Sequence, residues 1–145
     1  MSKPYIILHK GNFNGSNPLI ENHPSHIKDM LRRGFKCEID VWFVDGFFYL
    51  GHDAPVYGVE ECFLENDDLF CHAKNLPALY RMLNNSNIHC FFHQNDTCAI
   101  TSQGMIWQSH YDNLTDRTIV VDTTDTPNYN ANCYGLCVDY APKIN

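Results

Sequence analysis

Short runs of apolar, β-branched or aromatic residues, each bounded by turn-forming residues, recur along the whole chain. They cover residues 5–9, 36–43, 47–50, 69–73, 88–93, 105–108, 118–122 and 134–139. Runs of this length and composition are typical of β-strands. Several are apolar throughout instead of alternating with polar residues, which is typical of strands that are covered on both faces. The pattern therefore predicts a protein built around a largely buried sheet.

Local signals between the runs predict one hairpin and the helices. Asp45-Gly46 separates two apolar runs and predicts a two-residue β-hairpin. A helix is predicted over residues 24–33, because a proline opens the segment and a glycine follows its apolar stripe. A second helix is predicted over residues 76–84, with Asn75 as its cap. A third helix could cover residues 59–64.

The length of the chain limits the architecture that these elements can build. A chain of 145 residues is the size of one domain, and its strand–helix–strand beginning predicts an α/β barrel. A complete barrel of this kind needs about 250 residues. We therefore expect residues 1–145 to form a single contracted TIM-type (β/α) barrel, with seven or eight strands and several outer helices missing. The missing helices would leave barrel wall uncovered, which suggests a homo-oligomer.

Composition argues against two classes of partner. Ten Lys and Arg residues stand against 17 Asp and Glu residues, and this net charge of −7 disfavours a nucleic-acid binder that neutralises phosphates. No apolar run approaches the roughly 18–20 residues of a membrane span. The first residues lack the pattern of a signal peptide, so the seven cysteines are interpreted as reduced thiols of a cytoplasmic protein.

Ionisable residues gather where the predicted strands end, which is where the active sites of α/β barrels lie. His9 ends the first strand, and a histidine or lysine follows several later ones. Glu38 and Asp40 stand two positions apart, so their side chains point to the same side of one strand. Two adjacent carboxylates repel each other, and a divalent cation that accepts oxygen from both would remove the repulsion.

Four motifs in a fixed order resemble a known enzyme family. They are His9-Lys10-Gly11, Glu21-Asn22, Glu38-x-Asp40 and His52-Asp53. Together they resemble the glycerophosphodiester phosphodiesterase family, of the superfamily that includes phosphatidylinositol-specific phospholipase C, in a short form. The family pattern is His-Arg-Gly, Glu-Asn-Thr, Glu-x-Asp and His-Asp. The resemblance covers residues 6–53, about the first third of the chain.

The resemblance implies a metal-dependent phosphodiester hydrolase. His9 and His52 match two catalytic histidines that act as general acid and base, with neither role assigned to one of them. Glu38 and Asp40 match ligands of the metal, and Lys74 matches a lysine beside the phosphate. The implied substrate is a glycerophosphodiester or a similar small alcohol phosphodiester. In the family, a neighbouring hydroxyl often attacks first and gives a cyclic phosphate.

Other matched positions support the site or depart from the family pattern. Glu21, Asn22 and Asp53 are expected to support the catalytic groups. Lys10 replaces the family's arginine and keeps its charge for the phosphate. His72 stands where the family has a third acidic metal ligand. The expected cofactor is one divalent cation, Mg²⁺ or Ca²⁺, with Mn²⁺ as an alternative that a nitrogen ligand would favour.

Other residues have both a functional and a structural interpretation. His93, Gln94 and Asp96 are candidates for substrate contact, with turn formation as the alternative interpretation. Trp107 is a candidate for substrate stacking or for packing, and Asp139 could hold a histidine or lysine of the site. Two other functions compete with the enzyme. One is a catalytically weak or inactive relative that binds a phosphorylated ligand, and the other is a structural partner domain.

Overall fold

The structure is a computed structural model that describes residues 3–143. Its strands are β1 Tyr5–His9, β2 Lys36–Val44, β3 Phe47–Leu50, β4 Tyr57–Val59, β5 Leu69–Ala73, β6 Cys90–Phe91, β7 Cys98–Ile100, β8 Ile106–Gln108, β9 Thr118–Asp122 and β10 Gly135–Val138. Its helices are α1 Pro24–Arg32 and α2 Leu76–Leu83, and Glu61–Glu65 form a 3₁₀ turn. In the described part of the chain, neither helix has the length and apolarity needed to cross a membrane.

All ten strands belong to one mixed sheet. Seven of them run parallel in the order β6-β5-β2-β1-β10-β9-β8. Strand β7 pairs antiparallel with β8, and the β3–β4 pair continues antiparallel from the second half of β2. Strand β2 is long enough, at nine residues, to pair with β1, β5 and β3 in turn. It therefore connects the parallel part of the sheet to the hairpin.

The predicted contracted TIM-type barrel is wrong. Residues 3–143 contain two α-helices beside ten strands, and β3 and β7 run opposite to the other strands, so strands and helices do not alternate around a barrel. The chain crosses from β8 to β9 and from β9 to β10 through loops, residues 109–117 and 123–134. These loops are rich in Asp, Asn and Thr and lack an apolar stripe of helical period, so nothing in them favours a helix.

The sheet curls so that its two ends approach each other. A buried cluster joins Phe91 of β6 to Trp107 of β8, at opposite ends of the parallel series, with ring centroids 4.4 Å apart. The cluster also contains Ile7, Phe70, Ile119 and Cys137. Outside the strand ladders, the Ser102 backbone N–H donates to the Cys90 carbonyl at 2.7 Å. This curvature places the ends of distant strands around one space.

Loop side chains cover the other face of β9 and β10. Val120, Leu136 and Val138 on that face are buried together with Ala131 and Cys133 from the preceding loop. Three further loop side chains pack on this group: Tyr111, Leu114 and Tyr129. The uncovered wall that suggested a homo-oligomer is therefore not bare along these two strands.

Several local predictions are confirmed. Asp45 and Gly46 adopt the left-handed conformation, with φ of 52° and 87°, that a tight hairpin requires. Helix α2 begins after Asn75, whose side chain accepts from the backbone N–H of Ala78 at 3.0 Å. The predicted third helix is wrong in extent, because Val59 belongs to β4 and only the 3₁₀ turn follows it.

Candidate functional site

A tight turn after β1 connects the end of that strand to the carboxylates of β2. Lys10 and Gly11 are both left-handed, with φ of 57° and 86°. A Cβ atom on Gly11 would lie 2.6 Å from Ile27 Cδ1, so only glycine fits there. The turn directs the backbone N–H of Lys10 to Glu38 Oε1 at 3.0 Å. The carbonyl of Lys10 accepts from the backbone N–H of Asn22 at 2.9 Å, which brings the loop that contains Asn22 beside the turn after β1.

The carboxyl groups of Glu38 and Asp40 are buried side by side, and each side chain is only 2% exposed. Asn22 holds Asp40 from both ends: its Nδ2 donates to Asp40 Oδ2 at 3.0 Å, and its Oδ1 accepts from the Asp40 backbone N–H at 2.8 Å. Burial and the adjacent Asp40 charge raise the pKa of Glu38 well above its usual value. Burial also acts to raise the pKa of Asp40, but hydrogen bonds from Asn22 and from His72, when its ring carries a hydrogen on both nitrogens, outweigh it and lower this pKa to about 2.

His72 completes a cluster that could hold a metal ion. It lies on β5 in register with Asp40 on β2. Its Nδ1 is 3.4 Å from Asp40 Oδ1 and 3.8 Å from Glu38 Oε2, and one donor atom from each residue lies within 4.8 Å of the others. Donors that share one ion at about 2.1 Å lie about 3.0–3.4 Å apart. The three residues therefore fit a divalent cation after a modest contraction.

His9 is oriented by a second carboxylate. Its Nδ1 donates to Asp139 Oδ1 at 2.9 Å, and its Nε2 lies 4.0 Å from Glu38 Oε1. The prediction that Asp139 holds a site histidine is therefore confirmed. Burial acts to raise the pKa of Asp139, but the hydrogen bond and charge of His9 lower it overall. The side chain of Asn12 donates to Asp139 at 3.1 Å and to Glu21 at 3.3 Å, which links the two acidic groups.

One cavity of about 380 Å³ opens at the carboxyl ends of the parallel strands. Most of the predicted site residues line it, although they come from strands β1, β2, β5 and β8 and from the connections that follow β3, β5 and β6. These residues are His9, Glu38, Asp40, His52, His72, Lys74, His93, Gln94 and Trp107. The strand-end rule thus located the cavity, although the barrel prediction was wrong.

Four predicted residues lie outside the cavity lining. The side chain of Lys10 is 3.9 Å from Glu21 Oε2, so this lysine pairs with an acidic residue instead of lining the cavity for a phosphate. Asn22 hydrogen-bonds to Asp40 but is not part of the cavity lining. Asp53 is 95% exposed and accepts from His52 Nδ1 at 2.8 Å. Of the three residues expected to support the site, Asn22 contacts Asp40 and Asp53 contacts His52, whereas Glu21 contacts Lys10 and Asn12.

The other side of the cavity is formed by aromatic and polar groups. Trp107 is buried against Phe91 and Phe70, which agrees with the interpretation of this side chain as a packing residue. It also borders the cavity. The ring of His93 stacks on His72 with centroids 4.7 Å apart, and its Nδ1 is buried without a hydrogen-bond partner. Gln94 is exposed at the edge.

Asp96, which was a candidate beside His93 and Gln94, lines the cavity, but four other polar residues of the site were not predicted from the sequence. They are Asn12, Thr97, Gln108 and Ser109. The strand-end rule could have indicated Gln108 and Ser109, because they end or directly follow β8. No sequence signal indicates Asn12, since its role depends on Asp139, which lies 127 positions away.

Fold and site together define a mixed α/β protein with a buried carboxylate–histidine cluster in a cavity at the carboxyl edge of its parallel strands. Comparisons of the chain with family models, with curated proteins and with solved structures found no match. The site geometry and the sequence motifs are therefore the basis for a functional proposal.

Proposed function

We propose that this protein is a metal-dependent phosphodiester hydrolase that acts on a glycerophosphodiester or a similar small alcohol phosphodiester. The observation that carries the proposal is that two histidines, a lysine and a potential cation site line one cavity of about 380 Å³. This volume falls within the range of small-molecule sites. The order of the motifs, which resembles the glycerophosphodiester phosphodiesterase family, supports the same activity.

Charge stabilisation would come from one side of the cavity. Glu38, Asp40 and His72 would hold one divalent cation, which when bound supplies positive charge beside a phosphate oxygen. Lys74 lines the same cavity and adds a second positive charge. Because the two carboxylates are buried and hydrogen-bonded before any ligand arrives, their positions require little rearrangement.

His9 and His52 would move the protons. Attack by water or by a neighbouring hydroxyl forms a new P–O bond, and the bond to the leaving alcohol breaks. One histidine accepts the proton of the attacking oxygen and the other donates a proton to the leaving oxygen. Asp139 fixes the ring of His9, with Nδ1 as the donor, so its Nε2 is free to serve either role. A neighbouring hydroxyl as nucleophile gives a cyclic phosphate.

The test is an assay of chelator-stripped protein, with Mg²⁺, Ca²⁺ or Mn²⁺ added back, on bis(4-nitrophenyl) phosphate and on glycerophosphocholine. We expect cation-dependent hydrolysis that falls by about 100-fold or more in His9→Ala. His110→Ala is the matched control, because this histidine also lies beside an aspartate but does not line the cavity. Hydrolysis that is unaffected by His9→Ala would contradict the proposal.

A second candidate is a protein that binds a phosphorylated ligand without turnover. The observation that favours it is the pairing of Lys10 with Glu21, which leaves the cavity without the positive charge that the family places at this position. Calorimetry with glycerol 3-phosphate and the loaded protein tests this candidate. Binding without hydrolysis of either diester would favour it over the enzyme.

We further propose that the protein acts in a reducing compartment such as the cytoplasm. All seven cysteines are free thiols in the structure. Four of them are buried within the sheet as small apolar side chains: Cys37, Cys71, Cys90 and Cys137. The net charge of −7 supports a small phosphodiester, and not a nucleic acid, as the partner.

A further inference from the structure

We infer that His72 makes the cation site selective for a first-row transition ion such as Mn²⁺ over Mg²⁺ and Ca²⁺. This inference rests on the cation site of the proposed function, but not on the reaction assigned to it. It concerns which ion Glu38, Asp40 and His72 hold and which atom of His72 contacts that ion. The orientation of the His72 ring carries the argument.

The two nitrogens of His72 have different partners. Nε2 lies 3.3 Å from the carbonyl oxygen of His93, and a carbonyl oxygen only accepts, so Nε2 carries the hydrogen. Nδ1 faces the carboxyl groups of Asp40 and Glu38 at 3.4 Å and 3.8 Å. In the neutral ring with this tautomer, Nδ1 presents a lone pair to the cluster. A hydrogen bond that fixes the outer nitrogen in this way is the usual support of a metal-binding histidine.

The ring has little freedom to turn away from the cluster. It stacks on Phe91 and on His93, with centroids 4.9 Å and 4.7 Å apart and interplanar angles of 12° and 8°. Its side chain is 14% exposed. Turning the ring to replace the nitrogen by water would sacrifice both stacking contacts and the hydrogen bond to His93. Nδ1 is therefore a fixed member of the donor set.

A fixed nitrogen donor discriminates between cations. Ca²⁺ takes six to eight oxygen ligands and Mg²⁺ prefers oxygen and retains its waters. Imidazole suits Fe²⁺, Ni²⁺ and Zn²⁺ best, and Mn²⁺, which also binds oxygen well, accepts a nitrogen ligand more readily than Mg²⁺ or Ca²⁺ does. Two buried carboxylates supply the charge for a divalent ion of either class. Selectivity is therefore set by His72. Without an ion, Nδ1 faces carboxylate oxygens that also carry lone pairs, unless the ring takes up a second proton and forms an ion pair.

The experiment uses the full chain, stripped with a chelator. Calorimetry gives the affinities for Mn²⁺, Mg²⁺ and Ca²⁺, and pulsed electron paramagnetic resonance of bound Mn²⁺ detects a coordinated nitrogen. Mn²⁺ is chosen over Zn²⁺ because Cys62 and Cys98 are exposed thiols. His72→Asn places an amide near the position of Nδ1. His9→Asn is the matched control, because His9 also lies beside Glu38.

We expect wild-type protein to bind Mn²⁺ about 100-fold more tightly than Mg²⁺ and to show nitrogen coupling. His72→Asn should abolish the coupling and reduce the ratio of affinities by about tenfold or more, and His9→Asn should retain both. Circular dichroism verifies that each variant folds. If His72→Asn does not fold, the coupling in wild type and its retention in His9→Asn decide the result.

Three outcomes would overturn the inference: no bound ion, bound Mn²⁺ without nitrogen coupling, or an unchanged affinity ratio in folded His72→Asn. The second of these results would indicate that His72 is a protonated ion-pair partner. Nitrogen coupling without hydrolysis of any diester would support the inference and contradict the proposed reaction. Hydrolysis with Mg²⁺ and no nitrogen coupling would support the proposed reaction and contradict the inference.

Discussion

The two sides of the cavity are built differently. The ligand wall, which consists of Glu38, Asp40 and His72 on strands β2 and β5, is held by register and by buried hydrogen bonds. The open rim, which consists of His52, Gln94 and Asp96, lies on loops, and Asp53 lies beside His52 outside the cavity lining. The Glu38 side chain is 2% exposed, whereas that of Asp53 is 95% exposed.

This contrast separates two tasks. A group on a central strand keeps its position because moving it would break the ladder and expose buried charge. A group on an exposed loop can move to fit the alcohol that it meets. We therefore expect changes in the ligand wall to affect cation binding and folding. Changes in the open rim should affect turnover and substrate preference and leave stability almost unchanged.

The largest effect is expected for Glu38→Gln. Removal of one charged ligand should abolish detectable cation binding and reduce hydrolysis by about 1,000-fold or more. The amide oxygen can still accept from Lys10, and one source of buried carboxyl repulsion disappears, so the metal-free protein should unfold at the same or a higher temperature. Thermal unfolding with and without Mn²⁺ checks both parts, and a cation-induced shift equal to wild type would refute the assignment.

His52→Ala tests the open rim. If His52 is one of the proton-transfer groups, hydrolysis should fall by about 100-fold to 10,000-fold. The ring is half-exposed, and among residues 3–143 it bonds only to its neighbour Asp53, so the free energy of unfolding should change by less than about 0.5 kcal/mol. Urea unfolding measures the stability and the diester assay the rate. A large loss of stability would remove the distinction between the two sides.

Asn22→Gly removes the side chain that holds Asp40 while allowing the left-handed φ of 59° at this position. Two buried hydrogen bonds to Asp40 are lost, which should cost about 2–3 kcal/mol of unfolding free energy. Asn113→Gly is the matched control, because Asn113 has a φ of 55° but is exposed. Urea unfolding should show a change of no more than about 0.5 kcal/mol in this control. Equal changes in unfolding free energy in the two variants would mean that the backbone conformation at these positions, and not the side chain of Asn22, causes the effect.

His89, which lies outside the cavity lining, tests how the stability of the fold depends on pH. Burial and the charge of Lys36 lower the pKa of His89 to about 4, and its Nε2 lies 2.6 Å from Thr101 Oγ1. Between about pH 6.5 and this value, the unfolded chain binds more protons than the folded one, so stability falls as pH falls. Urea unfolding at pH 7 and pH 4.5 should show a loss of about 2 kcal/mol from this residue. In His89→Gln that part of the loss should disappear, and an identical pH dependence would show that other groups cause it.

Asp53→Ala should have the smallest effect. The carboxylate is almost fully exposed, and an exposed ion pair contributes about 0–1 kcal/mol. Stability should therefore remain unchanged within error, and hydrolysis should fall by no more than about tenfold, because His52 loses a partner that orients its ring. A loss as large as that of His52→Ala would place Asp53 in the chemistry itself.

Much of the fold could be predicted where the local pattern is strong. Strands β1, β3, β5 and β9 have the predicted bounds, and both helices lie where proline and asparagine signals placed them. Strands β4 and β7 were missed because each has three residues and no repeating pattern. Loops replaced the expected barrel helices between the last three parallel strands because their packing comes from scattered aromatic and aliphatic residues, not from an apolar helix face.

The candidate site divides in the same way. The sequence by itself determined Glu38 and Asp40 as a pair on one strand face, because a period of two fixes that relation locally. Only the tertiary structure decided that Lys10 pairs with Glu21 and that His72 points a nitrogen at the carboxylates. It also decided that Asn12 holds Asp139, which in turn orients His9. These contacts depend on strand register and on the curl of the sheet, which long-range packing sets and no local pattern encodes.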